Sequence, residues 1–164
     1  MASYGTLAGW RAYATARGNG APTSATDANG DAALLRASAY IDGLYGIRFA
    51  GRPTGGATQA LAWPRTGAVD YYGQSIPPDS IPDRVVSAAY EAALLELASP
   101  GSLTVTLTPD QRKVLTKVDK IEWEVITRGK AGVGFADATP TSTLIEGLLW
   151  PLLVRTDEPA IMVV

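Results

Sequence analysis

Apolar residues in the first part of the chain recur at helical steps. Between Thr6 and Arg17, Leu7, Trp10, Tyr13 and Ala14 share one face and Gly18-Asn19-Gly20 supplies a stop, so the spacing predicts a short helix. A turn-rich stretch to Gly30 follows. From Asp31 to Tyr45, Leu34, Ala37, Ile41 and Leu44 fall three and four apart, which predicts a second amphipathic helix ended by Gly46. A third apolar face, Val86, Ala89, Tyr90, Ala93, Leu94 and Leu97, starts behind Ile81-Pro82 and runs to Ser99-Pro100-Gly101.

The pattern breaks in two places. Residues 46 to 81 interleave Gly51, Gly55, Gly56, Gly67 and Gly73 with Pro53, Pro64, Pro77 and Pro78, a composition that refuses regular helix or central strand. The aromatic residues Trp63, Tyr71 and Tyr72 make this an ordered, docked loop. From Val114 to Thr127 the period becomes two, with a slip of phase at Asp119-Lys120 that suggests two short strands joined by a turn or bulge. Gly129 to Pro140 reads as a connector. Thr141 or Ser142 then caps a last apolar helix with Leu144, Ile145, Leu148 and Leu149, which Pro151 ends or kinks.

These elements predict a mainly α fold: a small helical bundle with a long ordered loop, a short β-hairpin at about 112–127 and an extended C-terminal arm. Residues 1–154 form the domain and 155–164 the arm. The length of 164 residues suits one core.

Composition narrows the chemistry. Lys plus Arg number 14 against 16 Asp plus Glu, so the net charge of −2 gives no global attraction for nucleic acid or an anionic membrane. The absence of Cys and His removes disulfides, thiolate chemistry, the commonest general base and the commonest zinc ligand. The opening Met1-Ala2-Ser3-Tyr4-Gly5 has no basic then greasy pattern, and no run approaches the ~20 apolar residues that cross a bilayer. An intracellular, soluble chain without a membrane partner is expected.

Candidate motifs give little. Asp27-Ala28-Asn29-Gly30-Asp31 starts like a calcium loop, but Ala32 and Ser38 stand where its Gly and final carboxylate belong, and a helix start explains it better. Gly129 to Gly134 lacks the spacing of a phosphate loop, and Gly73-Gln74-Ser75-Ile76-Pro77 lacks the last Gly of a nucleophile elbow. No catalytic residue, metal site or cofactor is assigned, and an enzyme is not expected. Arg48, Arg52 and Arg65 lie in or beside a stretch, 43 to 69, that holds no acid. With Trp63, Tyr71 and Tyr72 they could neutralise and stack single-stranded DNA, Arg48 and Arg52 facing the strand. The preferred reading has Arg and Trp holding the loop against neighbouring helices.

Tyr13-Ala14-Thr15-Ala16-Arg17-Gly18, Ala33 to Asp42 ending in Tyr40-Ile41-Asp42, Gln59-Ala60-Leu61-Ala62-Trp63-Pro64-Arg65-Thr66-Gly67, and Ile81-Pro82 before an Ala-rich helix occur in that order. Together they resemble the head-tail adaptor (neck connector) proteins of tailed phages, commonly labelled DnaT-like single-stranded DNA-binding proteins. The likeness covers about Ser3 to Ala98, with less agreement at Val114 to Val125 and the last helix. It implies a homo-oligomeric, twelvefold ring beneath the portal protein that passes contact to a stopper or tail protein. Genomic DNA would run through the bore without sequence-specific binding, and the protein would sit in the virion neck after assembly in the host cytoplasm.

Carried over by residue, Tyr40, Ile41 and Asp42 match the end of the second family helix, and Gln59, Leu61, Trp63, Pro64 and Arg65 match the signature loop, where they shape the domain and make subunit or partner contacts. Tyr71, Tyr72 and the apolar Ala160, Ile161, Met162, Val163 and Val164 are further contact candidates. The alternative function, from another class, is a single-stranded DNA-binding replication protein. The chain departs from the family pattern in its arm, Glu158 to Val164. An apolar arm is a usual means of docking on a neighbour, here the portal or an adjacent subunit. Deleting residues 157 to 164 is therefore expected to weaken ring attachment, read by co-sedimentation with portal, without unfolding the monomer; unchanged assembly would refute that role.

Overall fold

The computed structural model describes residues 2–104, 113–117, 122–125 and 142–154. Five α-helices stand among them: α1 (Leu7–Ala16), α2 (Ala21–Ser24), α3 (Asp27–Tyr45), α4 (Asp83–Ala98) and α5 (Thr143–Leu149). The mainly α expectation holds, with the long loop and the hairpin where the pattern put them. None of these helices is long and apolar enough to cross a membrane.

Local chemistry sets the helix ends. Thr6, extended at φ −130°, caps α1 by accepting the Gly9 N–H at 3.1 Å. At the other end Gly18 takes φ +74°, and the Asn19 N–H returns to the Ala14 carbonyl at 2.9 Å, closing the helix with a left-handed glycine.

The turn-rich reading of 18 to 30 needs correcting. Pro22 sits in the first turn of α2, and α3 begins at Asp27, four residues before the expected Asp31, because Thr26 accepts the Asn29 N–H at 3.3 Å. Gly30 is thus helical. It is there for space: a Cβ on it would lie 2.5 Å from Leu7 Cδ1 of α1. Arg11 binds the three helices together, donating to the carbonyls of Pro22 and Ala25 and to Asp27 Oδ1 at 2.8–2.9 Å.

The centre of the core is the packing of α3 on α4, extended by α5 on α4. Ala33 and Ala37 on α3 and Ala88, Ala89, Ala92 and Ala93 on α4 are fully buried, so small side chains line the contact. The apolar face expected for α4 is buried at Ala89, Tyr90 and Ala93 but is centred to one side of the expected stripe. Val85, Ala88, Ala92 and Glu96 are inside while Val86, Leu94 and Leu97 pack only at its margin. Alanine is apolar enough to be buried but contributes little to a pattern that is read from large side chains.

Glu96 is the polar exception, 1% exposed. Its carboxylate accepts Arg36 Nε at 2.6 Å and the N–H groups of Gly101 and Leu103 at 2.9 and 3.1 Å. It joins α3 to α4 and satisfies the turn after its own helix. Burial raises its pKa, but the Gly101 N–H, Arg36 and the Leu103 N–H outweigh burial and hold it below the ordinary 4.5.

The loop between α3 and α4 is built from short pieces. β1 (Arg52–Pro53) pairs antiparallel with β2 (Arg65–Thr66), Arg52 opposite Thr66 and Pro53 opposite Arg65. A 3₁₀ turn at Gly56–Thr58 lies between them, and Val69 bridges Ser75 across a turn capped by Asp70. Farther on, β3 (Lys113–Lys117) pairs antiparallel with β4 (Glu122–Val125), and the register shifts between Leu115 and Lys117. The predicted slip at Asp119-Lys120, the linker Gly129 to Pro140, and the arm 155–164 lie outside the described residues. After α5, Pro151 sits in a 3₁₀ turn, Trp150–Leu152.

A folded pKa held below 4.5 means that Glu96 stabilises the protein above about that pH and that the contribution is lost as pH falls through the folded value. Glu96→Gln is expected to lose about 1–3 kcal/mol at pH 7 and to flatten the acid limb of stability, measured by urea denaturation at stepped pH. Parallel acid limbs in the two proteins would refute this assignment.

Candidate functional site

The signature residues meet at one carboxylate. Asp42, near the end of α3, accepts the Tyr4 hydroxyl at Oδ1 (2.5 Å) and the Ala62 N–H at Oδ2 (2.8 Å). The Tyr4 hydroxyl oxygen in turn accepts the Trp63 N–H at 3.2 Å, and the Tyr4 N–H donates to Ser38 Oγ at 2.9 Å. The segment before α1, the middle and end of α3 and the loop at 62–63 are thereby tied together. Burial raises the Asp42 pKa, opposed by the Tyr4 and Ala62 donors and the Arg65 charge. Burial, then the Asp42 carboxylate, hold the Tyr4 hydroxyl above the ordinary phenol range, so it stays a donor.

Arg65 organises the rest of the loop. Its guanidinium donates to the carbonyls of Phe49, Ala50, Gly51 and Ala62 at 2.7–3.3 Å. Burial lowers its pKa, with Tyr4 and Asp42 acting the other way. Gln59 accepts the Gly55 N–H and donates to the Leu61 and Pro64 carbonyls. The Trp63–Pro64 peptide bond is cis, and the Trp63 ring meets Phe49 edge-on at 5.6 Å. Trp63 Nε1 is buried with no hydrogen-bond partner among the described residues.

Trp63 and Arg65 carry the first of the roles expected of them, shaping the domain and holding the loop against its neighbours: both are buried, and their side chains serve the interior. The polar contacts of Gln59 also run within the loop. Leu61 and Pro64 are half-buried; Leu61 borders a shallow depression with Ala2, Leu35, Arg36, Ala39, Asp42 and Ala60.

The exposed candidates gather elsewhere. Tyr71 stacks obliquely on Trp150 at 4.5 Å between ring centres and meets Tyr72 edge-on at 5.3 Å. Tyr72 is 75% exposed and Trp150 52%. The Tyr71 N–H donates to the Pro151 carbonyl at 2.7 Å, which fixes this pairing of loop and C-terminal turn. Trp150 lines a hollow with Thr143, Glu146 and Gly147. Glu146 Oε1 lies 3.5 Å from Arg48, and Ile47, the residue before Arg48, is 95% exposed. Sequence reasoning missed Trp150 and Ile47; an aromatic residue at the Leu149-Trp150-Pro151 break was the available signal.

Among the residues whose side chains are described, the arginines do not form a groove. Arg11, Arg17, Arg36 and Arg48 pair with Asp27, Glu91, Glu96 and Glu146, and Arg65 is buried. Arg48, expected to face DNA, also lies 5.5 Å from the Tyr45 ring centre. Arg52 and Arg84 are exposed and form no ion pair among the described residues.

A family model described as "Putative DnaT-like ssDNA binding protein" matches residues 1–164. The chain belongs to this DnaT-like family. Its description names single-stranded DNA, the alternative weighed from sequence, and carries no head-tail adaptor assignment. No curated protein and no solved structure matches this DnaT-like chain.

Tyr4→Phe removes the donor to Asp42 and the acceptor for the Trp63 N–H together. It is expected to cost about 1–3 kcal/mol and to speed hydrogen exchange at Ala62 and Trp63. Unchanged exchange there would show that the loop is held by other contacts.

Proposed function

We propose that the chain works by contact with other proteins, as a head-tail adaptor whose ring joins a portal to a stopper or tail protein around the DNA channel. The observation that carries this reading is the balance of its surface. Exposed aromatic groups, Tyr72 and Trp150, flank Tyr71, with Trp150 beside Glu146, while the arginines of the helical body are mostly engaged by carboxylates of the same chain or buried. Aromatic residues are enriched at protein contacts, whereas a single-strand groove needs a row of free cations beside its stacking rings. The ring, the portal and the neck location rest on the resemblance of the signature segments.

The family description favours a second reading, single-stranded DNA binding, and one feature of the sequence supports it. Residues 112 to 130 hold Arg112, Lys113, Lys117, Lys120, Arg128 and Lys130 with Trp123, against Asp119, Glu122 and Glu124. Six of the 14 cations thus fall in one segment with an aromatic residue, which is the composition that tracks and stacks a strand. In this reading the hairpin, and not the helical body, meets DNA.

Two measurements separate them. An adaptor is expected in purified phage particles at close to the copy number of the portal, and to bind a labelled oligonucleotide no better than the non-specific range, about 10⁻⁴–10⁻⁶ M at physiological salt. Absence from particles, together with tight, salt-sensitive binding that Lys113→Glu and Lys117→Glu abolish, would establish the second reading.

A further inference from the structure

The outer face of α5 carries a hollow that the interior does not use. Thr143, Glu146, Gly147 and Trp150 recur at steps of three and four and line it, while Ile145 and Leu149 are buried on the inner side. Glycine within a helix is less stable than alanine. Gly147 does not take a positive φ, and a Cβ on it would meet no atom of the described residues within 4 Å. Neither its backbone conformation nor the packing of the described residues asks for glycine, and its bare backbone keeps the hollow open beside the Trp150 ring.

Two kinds of chemistry meet at this hollow. Trp150, 52% exposed, has Tyr71 at 4.5 Å, and Tyr72 continues the row at 5.3 Å from Tyr71. Glu146 stands beside Trp150, its side chain 41% exposed. Its partners in the chain are distant: Oε1 lies 3.5 Å from Arg48 Nη1 and Oε2 lies 3.5 Å from the Tyr45 hydroxyl, both longer than ordinary hydrogen bonds. The carboxylate therefore keeps most of its capacity to accept. A ring next to such a carboxylate suits a guanidinium above other groups, since that plane stacks on the ring and donates to the carboxylate from its edge. We propose that the hollow takes an arginine side chain from an extended segment of another protein, its guanidinium between the Trp150 ring and the Glu146 carboxylate.

Charge complementarity selects this occupant. Glu146 attracts a cation and repels the phosphates of a nucleic acid strand, so the rings beside it serve a peptide better than a row of bases. The Arg48 contact does not close the site, because a half-exposed ion pair of this length contributes little and yields to a better-placed donor. Side chains on one face of an extended segment recur about every 7 Å, so an apolar residue two positions from the arginine meets the Tyr71 and Tyr72 end of the row. The Tyr71 N–H is already bonded to the Pro151 carbonyl at 2.7 Å, which holds the row in place before a partner arrives and lowers the cost of binding. The inference rests on the protein-contact reading of this surface and names the side chain that the partner brings to it.

The probe is the peptide acetyl-Leu-Gly-Arg-Gly-Leu-amide, which has an apolar residue on both sides of the arginine and so fits in either direction. The same peptide with glutamine for arginine is the control. Full-length, isotope-labelled protein is titrated with each by NMR and followed at the Trp150 indole N–H, assigned by its loss in Trp150→Phe. The arginine peptide is expected to shift that signal and to bind at least about threefold more tightly than the glutamine peptide, and Glu146→Gln to erase the margin. Gly147→Leu fills the hollow and is expected to abolish the shift with no fall in the urea midpoint. Equal affinities of the two peptides would overturn the proposal, as would a margin that survives in Glu146→Gln. A Trp150 signal moved by oligothymidylate and by neither peptide would give the surface to nucleic acid, and one that moves with protein concentration alone would give it to a second copy; either result sinks the inference. The copy number of the chain in phage particles tests the adaptor reading separately, so the two can fail independently.

Discussion

Asp42 is the constraint on which the arrangement of the loop depends. A half-buried carboxylate at the end of α3 holds no direct ion pair among the described residues; it accepts a phenol hydroxyl and a backbone N–H. Each partner comes from a different part of the chain, so one side chain joins the N-terminal segment, the third helix and the loop. The penalty of burying the charge is met by donors that are themselves held in place, Tyr4 by the Ser38 hydroxyl and Ala62 by the Arg65 clasp on its carbonyl. A loop of this length with so much glycine and proline would otherwise have little to order it.

Arg65 solves the complementary problem. The turn at 49–51 and the segment at 62 leave carbonyls inside the protein that no sheet or helix can satisfy, and a planar guanidinium with several donors reaches four of them. Glu96 does the same with acceptors, collecting two N–H groups and a guanidinium. The buried charges of this protein thus serve backbone that has left regular secondary structure. That use explains why charged residues of the signature loop are in the interior.

With Arg65 inside and four other arginines paired, aromatic rings more than charge define the surface of the residues whose side chains are described. Tyr72 and Trp150 come together only because the 69–75 turn is hydrogen-bonded to the C-terminal 3₁₀ turn through Tyr71 and Pro151. The basic residues of 112 to 130 are a separate feature of the sequence, and they give the DNA-binding description of the family a place in the chain distinct from the aromatic surface.

Periodicity alone determined the number of long helices, the irregular loop, the hairpin and the last helix, because each is a local pattern of large apolar side chains or of glycine and proline. The ordered motifs also singled out Asp42, Gln59, Trp63 and Arg65 as a set. The preferred reading of Arg and Trp holding the loop pointed Trp63 and Arg65 inward, but which buried carbonyls the guanidinium meets depends on chain folded back from elsewhere. The early start of α3 turned on a Thr26 cap and on Leu7 crossing at Gly30, and the sideways centre of the α4 face turned on alanines that matter only against the alanines of α3. The aromatic surface joins positions 71 and 150, nearly eighty residues apart, and only tertiary packing brings such distant residues into contact.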